Sequence, residues 1–196
     1  RGTGAAANAL ATSGQGPIKL VAMADVFEHK LNNSYETLNR RHQAQVEVPE
    51  DRRFIGFDGY QKAIDCLRPG DIAIFATPPA FRWVHFKYAI EKGVHVFMEK
   101  PISVDAPTGR RMIELAKEAE KKNIKVGVGL MVRHCRGRIA LKEQIENGKI
   151  GDILALRAYR MHGPQATAFS DWSMKKPDMS ELMFQISRFH SFLWLS

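Results

Sequence analysis

The sequence predicts an α/β protein: a doubly wound parallel sheet, followed by the start of an α/β domain with a mainly antiparallel sheet. Three observations predict the first part. Short apolar runs recur at 18–25, 71–77, 94–98 and 125–129 with little polar alternation. Such runs read as strands buried on both faces, the usual state of parallel strands. Between them lie stretches of helical composition at 27–44, 60–67, 81–92 and 105–122. Strand and helix in alternation is the signature of crossover connections. Three of the runs also end abruptly, at Asp25, Pro78-Pro79 and Glu99-Lys100-Pro101. Ligands of open α/β sheets bind outside the carboxyl ends of the strands.

Each element has its own warrant. Residues 4–13 are small and apolar and predict a helix packed closely on a neighbour; Pro17 breaks the chain after them. The run 18–25 ends in Asp25, and 27–44 predicts the next helix. Residues 53–57 predict a short strand. Asp58 is the predicted N-cap of the helix at 60–67, with Pro69-Gly70 as its stop. Strand 71–77 gives way to Pro78-Pro79 and a helix at 81–92, for which Gly93 is the C-terminal signal. Strand 94–98, the charged amphipathic helix 105–122 and strand 125–129 complete the series. The pattern then changes. A helix is predicted at 136–147, ending at Gly148, then a longer strand at 152–160 and a Gly-, Pro-, Ser- and Asp-rich loop at 162–178. The predicted domains are 1–130 and 131–196.

Composition narrows the class. The chain has 196 residues, 44% of them hydrophobic, enough to bury a core. Its net charge is +8, shared equally: 19 basic and 15 acidic side chains in residues 1–128, 10 and 6 in residues 129–196. No block of like charge stands out, so nucleic-acid binding is not expected. No apolar stretch approaches the ~18 residues of a membrane span. Cys66 and Cys135 lack metal or redox spacing, and no metal site is expected. The expected location is cytoplasmic; an exported protein is the alternative, because a signal peptide would precede residue 1.

The candidate site residues sit at strand ends. Asp25 closes the strand that follows the Gly-rich helix, 23 residues beyond Gly2. A dinucleotide site needs a glycine turn, a helix N-terminus facing the pyrophosphate, and an acid about 20 residues on for the ribose. Gly2 fits the third glycine of that pattern, and an acid at position 25 favours NAD over NADP. Arg40 and Arg41 lie too far along the next helix to reverse that preference. Thr77 and Pro78 end one strand, and Glu99 and Lys100 end another. Arg133 and His134 follow strand 125–129. His85 and His95 read as core or surface histidines. Trp83, Phe86 and Tyr88 read as packing, and His162 and Trp172 fall in the long loop.

Taken together, Arg1-Gly-Thr-Gly-Ala-Ala, Ala24-Asp25, Ala76-Thr77-Pro78-Pro79, Val96-Phe-Met-Glu99-Lys100-Pro101 and Gly148-Lys-Ile-Gly151-Asp resemble the glucose–fructose oxidoreductase / inositol dehydrogenase / MocA family. The resemblance covers essentially the whole chain, and Glu-Lys-Pro is its most specific mark. It implies a Rossmann domain that lacks its first strand here, followed by the start of a substrate and dimerisation domain on an open, mainly antiparallel sheet. It implies an NAD-dependent oxidoreductase acting on a sugar, cyclitol or related polyol, homo-oligomeric at full length. By motif, Gly2 and Asp25 match pyrophosphate and ribose contacts, and Thr77, Pro78 and Glu99 match residues lining the cofactor. Lys100 matches the lysine that touches the reacting hydroxyl, and Arg133 and His134 match a segment on the substrate side. The family's general base is expected beyond residue 196; His190, in the aromatic segment 181–190, is not the candidate. Ala80-Phe81-Arg82 replaces the His-x-His of many members, which implies a subgroup. Two alternatives remain at this level: a redox-neutral NAD-dependent glycosidase of the same family, and a non-catalytic dinucleotide-sensing regulator.

Overall fold

The computed structural model describes residues 1–12, 14, 16–157 and 159. The chain divides into two units, Arg1–Gly129 and Leu130–Ser196. The first unit opens with helix α1 (Gly2–Ala11), then β1 (Met23–Asp25), α2 (Glu28–His42), β2 (Arg53–Ile55) and α3 (Gly59–Asp65). It continues with β3 (Ile72–Phe75), α4 (Arg82–Glu91), β4 (His95–Met98), α5 (Ala106–Lys121) and β5 (Val126–Val128). All strand pairs are parallel. β1 pairs with β2, Asp25 opposite Ile55. β4 lies between β3 and β5, with Phe75 opposite Met98 and Met98 opposite Val128. A parallel sheet with helical crossovers is what the strand–helix alternation predicts.

The core lies on one face of the three-stranded sheet. Ala73 and Phe75 of β3 and Val96 and Met98 of β4 point into it, against Phe86, Ala89 and Ile90 of α4 and Met112, Leu115 and Ala119 of α5. Each large side chain buried there contributes about 1.5–3 kcal/mol. The other face is thinner: Ile74 and Phe97 are half-buried and Ile72 is 60% exposed. These strands are therefore less evenly buried than their unbroken apolar runs suggest. A separate apolar group, Leu10, Leu31, Leu38 and Val48, underlies α1, α2 and the turn before β2. α5 starts on a reciprocal cap: Thr108 N–H donates to Asp105 Oδ1 at 2.7 Å and Asp105 N–H donates to Thr108 Oγ1 at 3.3 Å.

The second unit holds a short 3₁₀ turn, Met131–His134, and helix α6 (Arg136–Glu146). Gly148 stands at φ 73°, the left-handed conformation glycine takes most easily, just past the helix end.

Three expectations are corrected. The strand predicted at 18–25 is regular only over Met23–Asp25. Leu20 makes an isolated parallel bridge to Val46, exchanging hydrogen bonds of 2.8 Å with Gln45 and Glu47, so the partner changes before β2 is reached. Asp58 stands at the N-cap position of α3 as expected, but its side chain makes no capping hydrogen bond and pairs with Lys62 at 2.8 Å instead. Residues 152–157 of the predicted strand 152–160 form no strand. A strand needs a partner for its backbone groups, none pairs here among the described residues, and Leu154 and Leu156 are 94% and 81% exposed. The predicted loop 162–178, with His162 and Trp172, and the segment 181–190 lie outside the described residues.

Candidate cofactor and active site

Asp25 ends β1 half-buried, and its carboxylate is oriented locally. Oδ1 accepts from Phe27 N–H at 2.9 Å, while the Asp25 carbonyl accepts from Gly56 N–H at 3.1 Å just after β2. Phe27, not Asp25, is the N-cap residue of α2. Oδ2 has no hydrogen-bond partner among the described residues. α1 begins beside this edge. Its first internal hydrogen bond runs from Ala5 N–H to the Arg1 carbonyl, and no side chain caps it. The first-turn amides before Ala5 are therefore unspent, and a helix start with free amides favours an anion. A Cβ on Gly2 would lie 3.5 Å from the Ala76 Cβ, so the start of α1 sits directly against the chain leaving β3. Thr3 Oγ1 and Ser34 Oγ share a 2.7 Å hydrogen bond, which ties α1 to α2.

The ends of β3 and β4 are built differently. Arg82, first residue of α4, is 1% exposed. Its Nη2 donates to the Thr77 carbonyl at 2.6 Å and its Nη1 donates to the Glu99 carbonyl. Nε has no partner. Burial pushes the guanidinium down to about 10, against an upward pull from Glu99, so it stays charged at neutral pH. One buried cation thus joins the two loops that carry Thr77-Pro78 and Glu99-Lys100. The Glu99 carboxylate lies flat against Gly129: any Cβ there would fall 3.1 Å from its Cδ and both oxygens. Lys100 is half-buried, and the Lys100–Pro101 peptide is cis. Pro78 precedes a 3₁₀ turn, Pro79–Phe81, that leads into α4.

His85 braces the same edge. It is 8% exposed, and Nδ1 shares a 3.2 Å hydrogen bond with Thr77 Oγ1. Burial, reinforced by the Arg82 charge, pushes its pKa down to about 4, so the ring is neutral at pH 7. It stacks on Tyr60 at 4.2 Å between centroids. Phe57, in the loop after β2, meets Phe81, in the loop after β3, at 6.0 Å. These ring contacts bring the carboxyl ends of both sheets to one side of the unit. Asp25, Gly2, Thr77, Pro78, Glu99 and Lys100 share that side.

Arg133 and His134 lie on the exposed Met131–His134 turn of the second unit. Sequence reasoning missed Arg82, His85 and Gly129. Arg82 was visible only as a replacement in a motif, and His85 as one histidine on an apolar helix. His95 is structural: its Nδ1 accepts from Lys125 N–H at 3.2 Å. Among the described residues no group of three His, Cys, Asp or Glu side chains is placed to hold a metal ion. None of their helices is long and apolar enough to cross a membrane.

The residues present fit a dinucleotide. An acid with one free oxygen ends β1, unspent helix amides face the same edge, and the glycine at the helix start meets the chain leaving β3. These features define the class of a parallel-sheet dinucleotide-binding protein. The family described as an oxidoreductase family with an NAD-binding Rossmann fold matches residues 2–129, and the chain belongs to it. The inositol 2-dehydrogenase of Corynebacterium glutamicum strain R is 31% identical over 87 residues, 44% of this chain and 25% of that protein. The myo-inositol 2-dehydrogenase of Lactobacillus plantarum superposes with TM-score 0.57 at 27% identity, over 75% of this chain and 38% of that one. The scyllo-inositol dehydrogenase of Lactobacillus casei, solved with NAD(H) and scyllo-inositol, gives TM-score 0.55, also at 27% identity and over the same shares. The chain therefore spans between a quarter and two fifths of the length of these relatives.

Proposed function

We propose that the protein is an NAD-dependent oxidoreductase that interconverts a polyol hydroxyl and the corresponding carbonyl, with an inositol-like cyclitol or sugar as substrate. The observation that carries this reading is the placement of Glu99-Lys100 at the end of β4, on the same side as Asp25 and the start of α1, in a chain of this family. NAD, when bound, supplies or accepts the hydride. Asp25 would accept hydrogen bonds from ribose hydroxyls through its free oxygen, and its charge would repel a 2′-phosphate. The α1 amides and Gly2 would face the pyrophosphate. Thr77, Pro78 and Glu99 would line the cofactor. The Lys100 ammonium would hydrogen-bond the substrate oxygen and stabilise negative charge on it as the C–H bond breaks. Residues 131–196, with Arg133 and His134, are assigned to the substrate side and to self-association. The names of the relatives lend no support to the glycosidase or regulator alternatives.

The test is direct. The full-length protein is incubated with NAD and a panel of cyclitols and sugars while reduced nicotinamide is followed by absorbance. Reduction with at least one polyol is expected. Firm NAD binding without reduction by any polyol would overturn the substrate class, and no NAD binding would overturn the whole reading.

A further inference from the structure

We propose that Arg82 is a positioning residue: it sets the Glu99–Lys100 loop at a fixed distance from the Thr77–Pro78 loop and thereby aims Lys100. This deepens the reading above and rests on its assignment of Lys100.

Three features of Arg82 argue against a packing role alone. It is a cation in the first turn of α4, where the helix dipole disfavours positive charge by ~0.3–1 kcal/mol. It is fully buried, which a charge tolerates only when well hydrogen-bonded. Its hydrogen-bond partners are two main-chain carbonyls; the Glu99 carboxylate favours the charge without taking either of these hydrogen bonds, so charge alone does not account for the arrangement. Neither helix formation nor core packing calls for a guanidinium here; Phe86, one turn on, fills the core without charge.

What the guanidinium alone supplies is geometry. It is a rigid planar fork whose two terminal nitrogens keep a constant separation. Nη2 takes the Thr77 carbonyl and Nη1 takes the Glu99 carbonyl, so the gap between the loops follows from the fork. Three contacts stiffen the two sides. His85 holds Thr77 Oγ1, and Glu99 N–H donates to the Phe75 carbonyl at 2.9 Å. Gly129 lets the Glu99 side chain lie against the end of β5. Lys100 is the next residue along the chain. A lysine at position 82 would keep the charge but bring a single nitrogen on a flexible stem, unable to hold both carbonyls at a set distance.

The experiment compares Arg82→Lys and Arg82→Gln with the parent protein in two measurements. The first is amide hydrogen exchange, which needs neither cofactor nor turnover. Exchange at Phe81 and Glu99, whose amides donate to the Pro78 and Phe75 carbonyls on the two loops, is expected to rise roughly tenfold or more in both variants, with the amides of α5 unchanged. The second is kinetics: kcat falls roughly tenfold to a hundredfold while NAD affinity moves less than about threefold. Unchanged exchange at the two loops overturns the proposal. So does a rise shared equally by α5, or failure of both variants to fold, because each marks Arg82 as a core support. If the parent reduces no polyol, the functional reading fails, yet the exchange data still decide whether Arg82 ties the loops.

Discussion

At the end of β1, Asp25 is held by a hydrogen bond from the N–H two residues on, and one carboxylate oxygen stays free. At the ends of β3 and β4, a buried guanidinium joins two loops 22 residues apart in sequence, from Thr77 to Glu99, and a buried histidine and a glycine brace them. In the first, the backbone pairs with β2 but the carboxylate is oriented by local chain alone. The second exists only when α4, β3 and β4 are packed. The difference suits the proposed roles. A ribose needs an acceptor at roughly the right place, and a bound dinucleotide can adjust to it. A group that stabilises charge at a reacting oxygen must be in place before the reaction, since small misplacement is costly.

The largest effect is expected under the braced edge. Phe86 is buried in the cluster that carries β3, β4 and α4. Phe86→Ala should cost about 3–5 kcal/mol of stability, read by urea unfolding. A loss below ~1 kcal/mol would mean that the brace does not depend on this core.

Next comes Lys100. Lys100→Met should lower kcat by roughly 10²–10³, about 3–4 kcal/mol, with NAD affinity nearly intact. A change within about 0.5 kcal/mol would mark it as an ordinary surface lysine and remove the reason for the brace.

His85 makes the braced edge sensitive to pH. Its folded pKa of about 4 lies below the ordinary histidine value of 6.5. The unfolded chain therefore binds the proton more readily between those values. Its contribution is fully present above pH 6.5 and is lost as pH falls towards 4. The loss approaches ~3 kcal/mol if the whole shift is realised. The groups facing this ring are the Arg82 cation, the Thr77 hydroxyl and the rings of Tyr60, Phe75 and Phe81. None is an acid that would hold its proton. Urea unfolding at pH 7 and pH 4.5 should show a larger drop for the parent than for His85→Gln, which loses the ring contacts at both pH values and has no proton to take up. Equal drops would place His85 outside the brace.

The smallest effect is expected at the locally built edge. Asp25→Ala should weaken NAD binding by about 1.5–3 kcal/mol, the range for a hydrogen bond to a charged group. It should leave kcat at saturating NAD nearly unchanged and narrow the preference over NADP. A collapse of kcat with normal NAD affinity would reverse the two roles.

Much of the fold was legible because its signals are local. The apolar runs, the Pro and Gly stops and the helical stretches all survive in the structure, shifted by a few residues at their ends. The exceptions have two causes. The strand expected at 18–25 changes partner at Leu20. The strand expected at 152–160 finds none among the described residues that overlap it. Asp58 spends its carboxylate on Lys62 rather than on the helix. The first two turn on where a distant partner lies, which local composition does not encode; the third is a choice between two local partners, the helix amides and Lys62 four residues on.

The candidate site divides the same way. Asp25, Thr77, Pro78, Glu99 and Lys100 could be picked out because strand ends announce themselves: an apolar run stops, and a polar residue or proline follows. Gly2 was legible from its distance to Asp25. Arg82 was not, because in sequence it is one more cation at the start of an amphipathic helix. Only packing removes it from water and turns it toward two carbonyls, and only then does its charge demand those hydrogen bonds. His85 is alike: burial and the Arg82 charge, both products of packing, make it neutral. The sequence by itself determined which residues stand at the mouths of the strands, since that follows from local stops in hydrophobic pattern. The tertiary structure alone decided which of those mouths are tied together, since that depends on a long-range hydrogen-bond network around one buried charge.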